Sequence, residues 1–269
     1  MKLRSMIRNA LAAKPFRLFS DFRNRTLAGH FRGGNGDLLE RLGTAYGGRY
    51  VPRDMKLNAN SFIISAGVGE DMSFDLLLQV RYGCEIVLVD PTPRAITHFS
   101  EIQQFYSEER QTFSGAIQND YLHQIQAIRP DLAKFFYEPK ALWNASDLTI
   151  PFYKPRNPAH VSHTLVAGMY AEESSKVRTV SLKQIMETQG QGRPLDLLKM
   201  DIEGAELVVL DHMLAQEIFP RYLLVEFDLM DQPQDANNNT GRLIQALRVF
   251  YDLVKQDKKN LTFVLKQTP

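Results

Sequence analysis

One cysteine, Cys84, stands in a chain of 269 residues. A lone thiol closes no intrachain disulfide, so a disulfide scaffold is excluded. A structural zinc site built from several thiolates lacks its donors for the same reason. Long apolar runs are missing too: no stretch approaches the roughly 18–20 uninterrupted apolar residues of a membrane span. Near the N-terminus, Arg8 and Asn9 break the run Ile7–Ala13, so no continuous signal-peptide core is read. A soluble, cytoplasmic protein is the expectation. A charge excess of one sign is also absent, since 32 basic and 31 acidic residues leave a net charge of +1.

That balance hides an asymmetry. Residues 1–32 carry eight basic side chains against Asp21 alone, a net +7, which leaves the remainder at −6. A mildly acidic main body is a poor match for a polyanion, and no nucleic-acid partner is expected. In residues 1–32, Leu3, Met6, Ile7, Leu11, Phe16, Leu18, Phe19 and Phe22 recur at helical spacing until Lys14-Pro15 interrupts them. Three readings stay open there: a helix packed on the main domain or on a second subunit of a homo-oligomer, a peripheral anchor toward anionic lipid or polyanionic glycan, or a targeting segment or tail. With 44% apolar content, the chain reads as a basic helical and loop extension over residues 1–59 and one α/β domain over 60–269.

Leu38, Leu39 and Leu42 suggest a short helix among the glycines of 33–48. The first core strand is Ser61–Ala66. It runs into Gly67-Val68-Gly69-Glu70-Asp71, and a helix follows. A second strand, Glu85–Val89, ends at Asp90, and Pro91-Thr92-Pro93 opens another helix. This β-α-β-α order with short apolar strands indicates a mostly parallel sheet. Thr112–Ile117 reads as a short strand and Tyr121–Ala127 as a helix. Leu148–Tyr153 is an edge strand or hairpin arm, because Pro151 is unsuited to a central one. Residues 154–176 form a long polar surface segment, Val177–Val180 a strand and Ser181–Thr188 a helix. A core strand at Tyr222–Glu226 follows, and Tyr251–Val254 and Leu261–Leu265 close the chain as an antiparallel edge.

The chemistry gathers at strand ends. Glycines at Gly67 and Gly69 permit close backbone approach to a ligand. Met72 replaces the third glycine of a dinucleotide fingerprint, and Glu70 and Asp71 oppose a diphosphate, so a ligand with a positive charge or an amino-acid head fits better. Asp90, placed to accept from ribose hydroxyls, points to a nucleoside cofactor. Around Leu195–Leu210, an apolar strand empties into Asp201, Glu203 and Glu206, with Gly204 among them. Acids in a helix's first turn also favour its dipole, so this cluster alone does not fix a function. Lys199 is assigned to the strand face opposite Asp201. His160 and His163, in the polar segment, are either lid bases or incidental surface residues.

Together Gly67–Asp75, Asp90-Pro91-Thr92-Pro93 and Leu198–Glu206 resemble the FkbM family of class I S-adenosylmethionine-dependent methyltransferases, over roughly residues 60–265. The chain departs from many members at Ser65, where they carry Asp, and at Asp71, where the turn has a small residue. The resemblance implies a Rossmann-like α/β fold with a mostly parallel seven-stranded sheet, helices on both faces and an antiparallel C-terminal edge. It implies S-adenosyl-L-methionine as cofactor, held by Gly67, Gly69, Glu70, Asp71 and Asp90, with Leu142 and Trp143 near the adenine. Asp201 and Glu203 are then the catalytic candidates, as base or acceptor orienter, and Glu206 an acceptor-side acid or a loop brace. No metal is assigned, although two of these acids holding a divalent cation remains an alternative. The implied activity is O-methylation of a hydroxyl on a small molecule or glycan; the alternatives are N- or protein methylation, and a non-catalytic binding protein.

Overall fold

The computed structural model describes residues 38–115, 117–154, 163–166, 172–230, 232, 235 and 237–267. The expectations for residues 1–32 and for His160 lie outside them. The chain opens with a hairpin of β1 (Leu39–Leu42) and β2 (Arg49–Pro52), paired antiparallel. Then come β3 (Phe62–Ala66), α1 (Ser73–Tyr82), β4 (Glu85–Val89), α2 (Pro93–Tyr106), α3 (Asn119–Gln126) and β5 (Phe135–Glu138). A small three-stranded sheet interrupts the series, built from β6 (Ala141–Leu142), β7 (Thr149–Lys154) and β8 (Glu172–Val180). The series resumes with α4 (Leu182–Thr188), β9 (Leu197–Met200), α5 (Glu206–Ala215), β10 (Tyr222–Glu226) and α6 (Asn239–Phe250). It closes with β11 (Tyr251–Asp257) and β12 (Asn260–Leu265).

Seven strands form one sheet in the order β11-β12-β10-β9-β3-β4-β5. β3, β4, β5, β9 and β10 pair in parallel, and β12 runs antiparallel to both β10 and β11. The closing pair is the expected antiparallel edge, a hairpin whose second strand, β12, lies against β10 while β11 is outermost. The sheet is buried on both sides, as parallel sheets require. Period-two alternation sends Phe62, Ile64, Val87, Leu198 and Leu223 to one face, where α4, α5 and α6 cover them. Ile63, Ile86, Leu88, Leu197 and Leu224 go to the other, under α1, α2 and α3. The α/β, Rossmann-like expectation is met.

Two local readings need correction. Leu39 and Leu42 lie in β1, not in a helix. Gly43, at φ +98°, and the turn that follows it bring the chain back into β2 after six residues, 43–48, and Leu42 and Val51 join the core. Among the described residues of 112–117 there is no strand. Phe113 packs on His98 and Tyr121, and Ser114 donates to the Glu101 carboxylate, so this segment is held by side chains. Pro151 does sit at the edge of its sheet, on β7.

β3 lies between β4, reached through α1, and β9, reached much later. The winding reverses there, which opens a crevice beyond the strand ends. The two ends press together: a Cβ on Gly67 would stand 1.6 Å from the Asp201 carbonyl oxygen, and Gly67 has φ +73°. Gly69 has φ +59°, but a Cβ there meets nothing within 4 Å. Gly67→Ala is therefore expected to lower unfolding free energy by at least about 2 kcal/mol in urea titrations, and Gly69→Ala by only about 1 kcal/mol. Equal costs would show that the packing of Gly67 against Asp201 is not tight.

Candidate active site

The crevice holds a cavity of about 670 Å³, within the range of small-molecule sites. At one end lie Val89, Pro91, Ala141 and Leu142; in the middle are Gly67–Asp71 and Asp90. At the other end stand Tyr46, Arg49, Lys199, Asp201, Glu203 and Glu226, with Phe152 and His163 beside them. The structure thus brings together Gly67, Gly69, Glu70, Asp71, Asp90, Leu142, Asp201 and Glu203. Trp143 does not line the cavity; the apolar wall there falls to Ala141 and Leu142.

The acids near the glycine turn are committed to the protein. Asp90, 5% exposed, accepts from the Val68 and Gly69 N–H groups on Oδ2 and from the Thr92 N–H and hydroxyl on Oδ1, at 2.7–3.0 Å. Its roughly four acceptor positions are thereby engaged. Glu70 forms a two-point pair with Arg94, at 2.9 and 2.6 Å. Asp71 accepts from the Thr44 hydroxyl, the Gly47 N–H and the Ser73 N–H, which ties the β1–β2 turn to the cofactor-side loop.

Lys199 is placed against expectation. It stands two residues before Asp201, and strand alternation puts both on one side. Its Nζ donates to the Gly67 carbonyl from a position 4% exposed. Asp75 of α1 is held above the ordinary carboxyl range by burial, opposed by the Lys199 charge. A buried cation thus braces the turn from behind.

At the acid-lined end, Asp201 Oδ2 accepts from Arg49 Nη2 at 2.6 Å, and Glu226 Oε2 accepts from the same nitrogen at 3.2 Å. Burial raises the Glu226 carboxyl, and the Asp201 charge raises it further while Arg49 opposes. Glu203 has φ +53° and Gly204 φ +92°, so the loop after β9 curls sharply. The Glu203 carbonyl accepts from the Thr164 hydroxyl, while His163 stacks on Phe152 with centroids 5.0 Å apart. Tyr46, at the hairpin tip, is 63% exposed. Its hydroxyl is raised by partial desolvation on the side that faces the protein, then by the charges of Asp201, Glu203, Glu226 and Asp71. Among the described residues no three His, Cys, Asp or Glu are grouped to hold a metal ion.

Glu206 turns inward and does not line the cavity. It is fully buried, and its Oε1 accepts from the backbone N–H of Asp228 at 3.1 Å. Burial pushes its carboxyl up to about 8. Asp228, 6% exposed, is pushed up by burial and then by the charges of Glu203, Asp201, Glu206 and Glu226. Of the two roles expected for Glu206, its burial and its bond to Asp228 are those of a loop brace.

Sequence reasoning missed Arg49 and did not place Glu226 in the site. Glu226 had a signal, an acid ending a core strand; Arg49, in a glycine-rich segment, had none. With the geometry in place, the comparisons fit it: residues 60–253 match the methyltransferase FkbM domain. Compared with curated proteins, the chain has no match. Among the described residues no helix is long and apolar enough to cross a membrane.

The buried Glu206 carboxyl has a pH signature. Its folded-state value is raised to about 8, whereas the unfolded chain ionises it near about 4.3. The unfolded state releases its proton first, so stability is lost as pH climbs between those values. Glu206→Gln, neutral throughout, is expected to unfold later than wild type at pH 8, by on the order of 2 kcal/mol, with the gap closing toward pH 5. Calorimetric melts across that range check it; a gap independent of pH would remove Glu206 as its source.

Proposed function

The chain belongs to the FkbM family of methyltransferases, and from that premise we propose that it transfers a methyl group from S-adenosylmethionine to a hydroxyl of a small molecule or sugar. The observation that carries the reading is one continuous cavity, with a nucleoside-type end and an acid-lined end on either side of the Gly67–Gly69 turn. Gly69 supports the fit: its Cβ position looks into open space at a φ that suits glycine. Ala141 and Leu142 would flank the adenine, Asp90 would hold the ribose, and the Gly67–Gly69 backbone would lie along the methionine part. For Asp90, ribose hydroxyls would have to share or displace bonds it already makes to Thr92, Val68 and Gly69.

When bound, S-adenosylmethionine supplies a sulfonium methyl: the acceptor O–CH3 bond forms as the S–CH3 bond breaks, and that electron pair stays on sulfur. The chain's residues align the acceptor, exclude water and take the hydroxyl proton. Asp201 is the proposed base; its bond to Arg49 engages Oδ2 and leaves Oδ1 without a partner among the described residues. Glu203 and Glu226 orient the acceptor from either side. Tyr46, Phe152 and His163 supply its apolar and aromatic wall. An acid-lined wall suits a hydroxyl, which needs a base, better than an amine, which it would keep protonated and non-nucleophilic.

S-adenosylhomocysteine is expected to raise the melting temperature, as a native-state ligand must. By titration calorimetry, Asp90→Asn should weaken that binding by at least about tenfold, while Asp201→Asn changes it by no more than about threefold. In assays with a labelled methyl donor and a panel of sugar and phenol acceptors, Asp201→Asn should cut kcat by about 100-fold or more. Absence of binding at millimolar S-adenosylhomocysteine would sink the reading.

A further inference from the structure

The β1–β2 hairpin adds no strand to the main sheet, yet it bonds both ends of the reactive cavity. Thr44 and Gly47 bond Asp71 on the cofactor side, and Arg49 bonds Asp201 and Glu226 on the acceptor side. Arg49 is 5% exposed, a depth at which arginine needs paired charge. Its Nη1 also donates to the Gly47 and Gly48 carbonyls, both at 3.3 Å. The guanidinium is thus fixed by its own turn before it meets the acids. Asp201 and Glu226 end neighbouring parallel strands, about 4.8 Å apart, where two carboxylates repel unless a cation stands between them.

We propose that Arg49 is a positioning residue for the methyl transfer: its guanidinium holds the Asp201 and Glu226 carboxylates in place on the cavity wall, so that Asp201 Oδ1 receives the acceptor's proton. The proposal rests on Asp201 as the base and adds a residue that never needs to touch the acceptor. The proton passes from the acceptor oxygen to Asp201 and then to water. The charged and titratable groups around these acids are Arg41 and Tyr46 from the hairpin, Asp71 from the glycine loop, Lys199 and Glu203 from β9 and its loop, Glu206 from the start of α5, Asp228 after β10, His163, Asp257 at the end of β11 and Lys258 in the turn after it. Lysine at position 49 would keep the charge but lose the planar guanidinium, whose Nη1 is anchored on the Gly47 and Gly48 carbonyls while Nη2 meets both acids.

The test compares full-length wild type with R49Q and R49K. It uses S-adenosylhomocysteine for binding, labelled S-adenosylmethionine with the sugar and phenol panel for turnover, and carboxyl-labelled protein for NMR titration of Glu226. R49Q is expected to bind S-adenosylhomocysteine within about threefold of wild type and to lose about 100-fold in kcat at pH 7. The acid limb of its pH–rate profile should move up by about one unit or more, because two acids have lost their shared cation. R49K should keep that limb near its wild-type place while recovering no more than about a tenth of the rate. The Glu226 carboxyl should titrate higher in R49Q than in wild type. A loss that is equal at every pH and matched by lost S-adenosylhomocysteine affinity overturns the proposal, as does an unmoved Glu226. If R49Q does not fold, R49K decides: a wild-type rate shows that charge alone suffices and overturns the clamp. If wild type binds S-adenosylhomocysteine but methylates no hydroxyl, the O-methylation reading fails by itself, and the Glu226 titration then judges the clamp.

Discussion

Carboxylates crowd the C-terminal ends of the central strands, and their mutual repulsion is the constraint the site is built to contain. Asp90, Asp201, Glu226 and Asp228 lie at or just beyond the ends of β4, β9 and β10, and Glu206 opens the helix behind them. Like charges so close, partly removed from water, cannot all stay ionised without partners. The protein uses three different remedies. Asp90 is saturated by backbone N–H groups and Thr92, and Asp201 and Glu226 share Arg49. Glu206 and Asp228 are pushed toward their neutral forms by burial.

The same containment ties the two halves of the cavity together. The glycine turn is pressed against the Asp201 carbonyl from one side and held by Lys199 from behind. The hairpin grips Asp71 with its tip and Asp201 with Arg49. A shift of the hairpin would therefore disturb a cofactor-side loop and an acceptor-side acid at once. That coupling needs no long pathway, since each step is a direct hydrogen bond.

Much of this was legible in the sequence wherever the signal was local. Strands ending in Gly67, Asp90 and Asp201 announce themselves by an apolar run followed by a polar residue, and they gave the sheet and most of the cavity. What failed was non-local or misphased. Leu39 and Leu42 mimic helical spacing, yet Gly43 at φ +98° turns the chain into a hairpin that pays its way through Val51 and Leu42 in the core. Lys199 shares the face of Asp201, contrary to expectation, because a two-residue spacing on a strand keeps side chains together. Arg49 carried no pattern at all: its meaning comes from acids 152 and 177 positions away, a separation only the folded chain closes.

The three acids of the loop after β9 show how one short stretch divides its labour. The chain leaves β9 at Met200, and Asp201 is fixed by its backbone N–H to the Ala66 carbonyl and its side chain to Arg49. Left-handed backbone at Glu203 and Gly204 then reverses the direction. Beyond that reversal the Glu206 carboxyl is drawn inside, where it accepts from the Asp228 N–H and takes no part in the cavity. The reversal also presents the Glu203 carbonyl to Thr164, bringing the 163–166 segment and His163 against the acceptor end. A helix-dipole account treats the three acids alike. The geometry separates them: Glu206 supports the loop from within, Glu203 joins it to the neighbouring segment through its carbonyl, and Asp201 faces the cavity with Oδ2 held by Arg49.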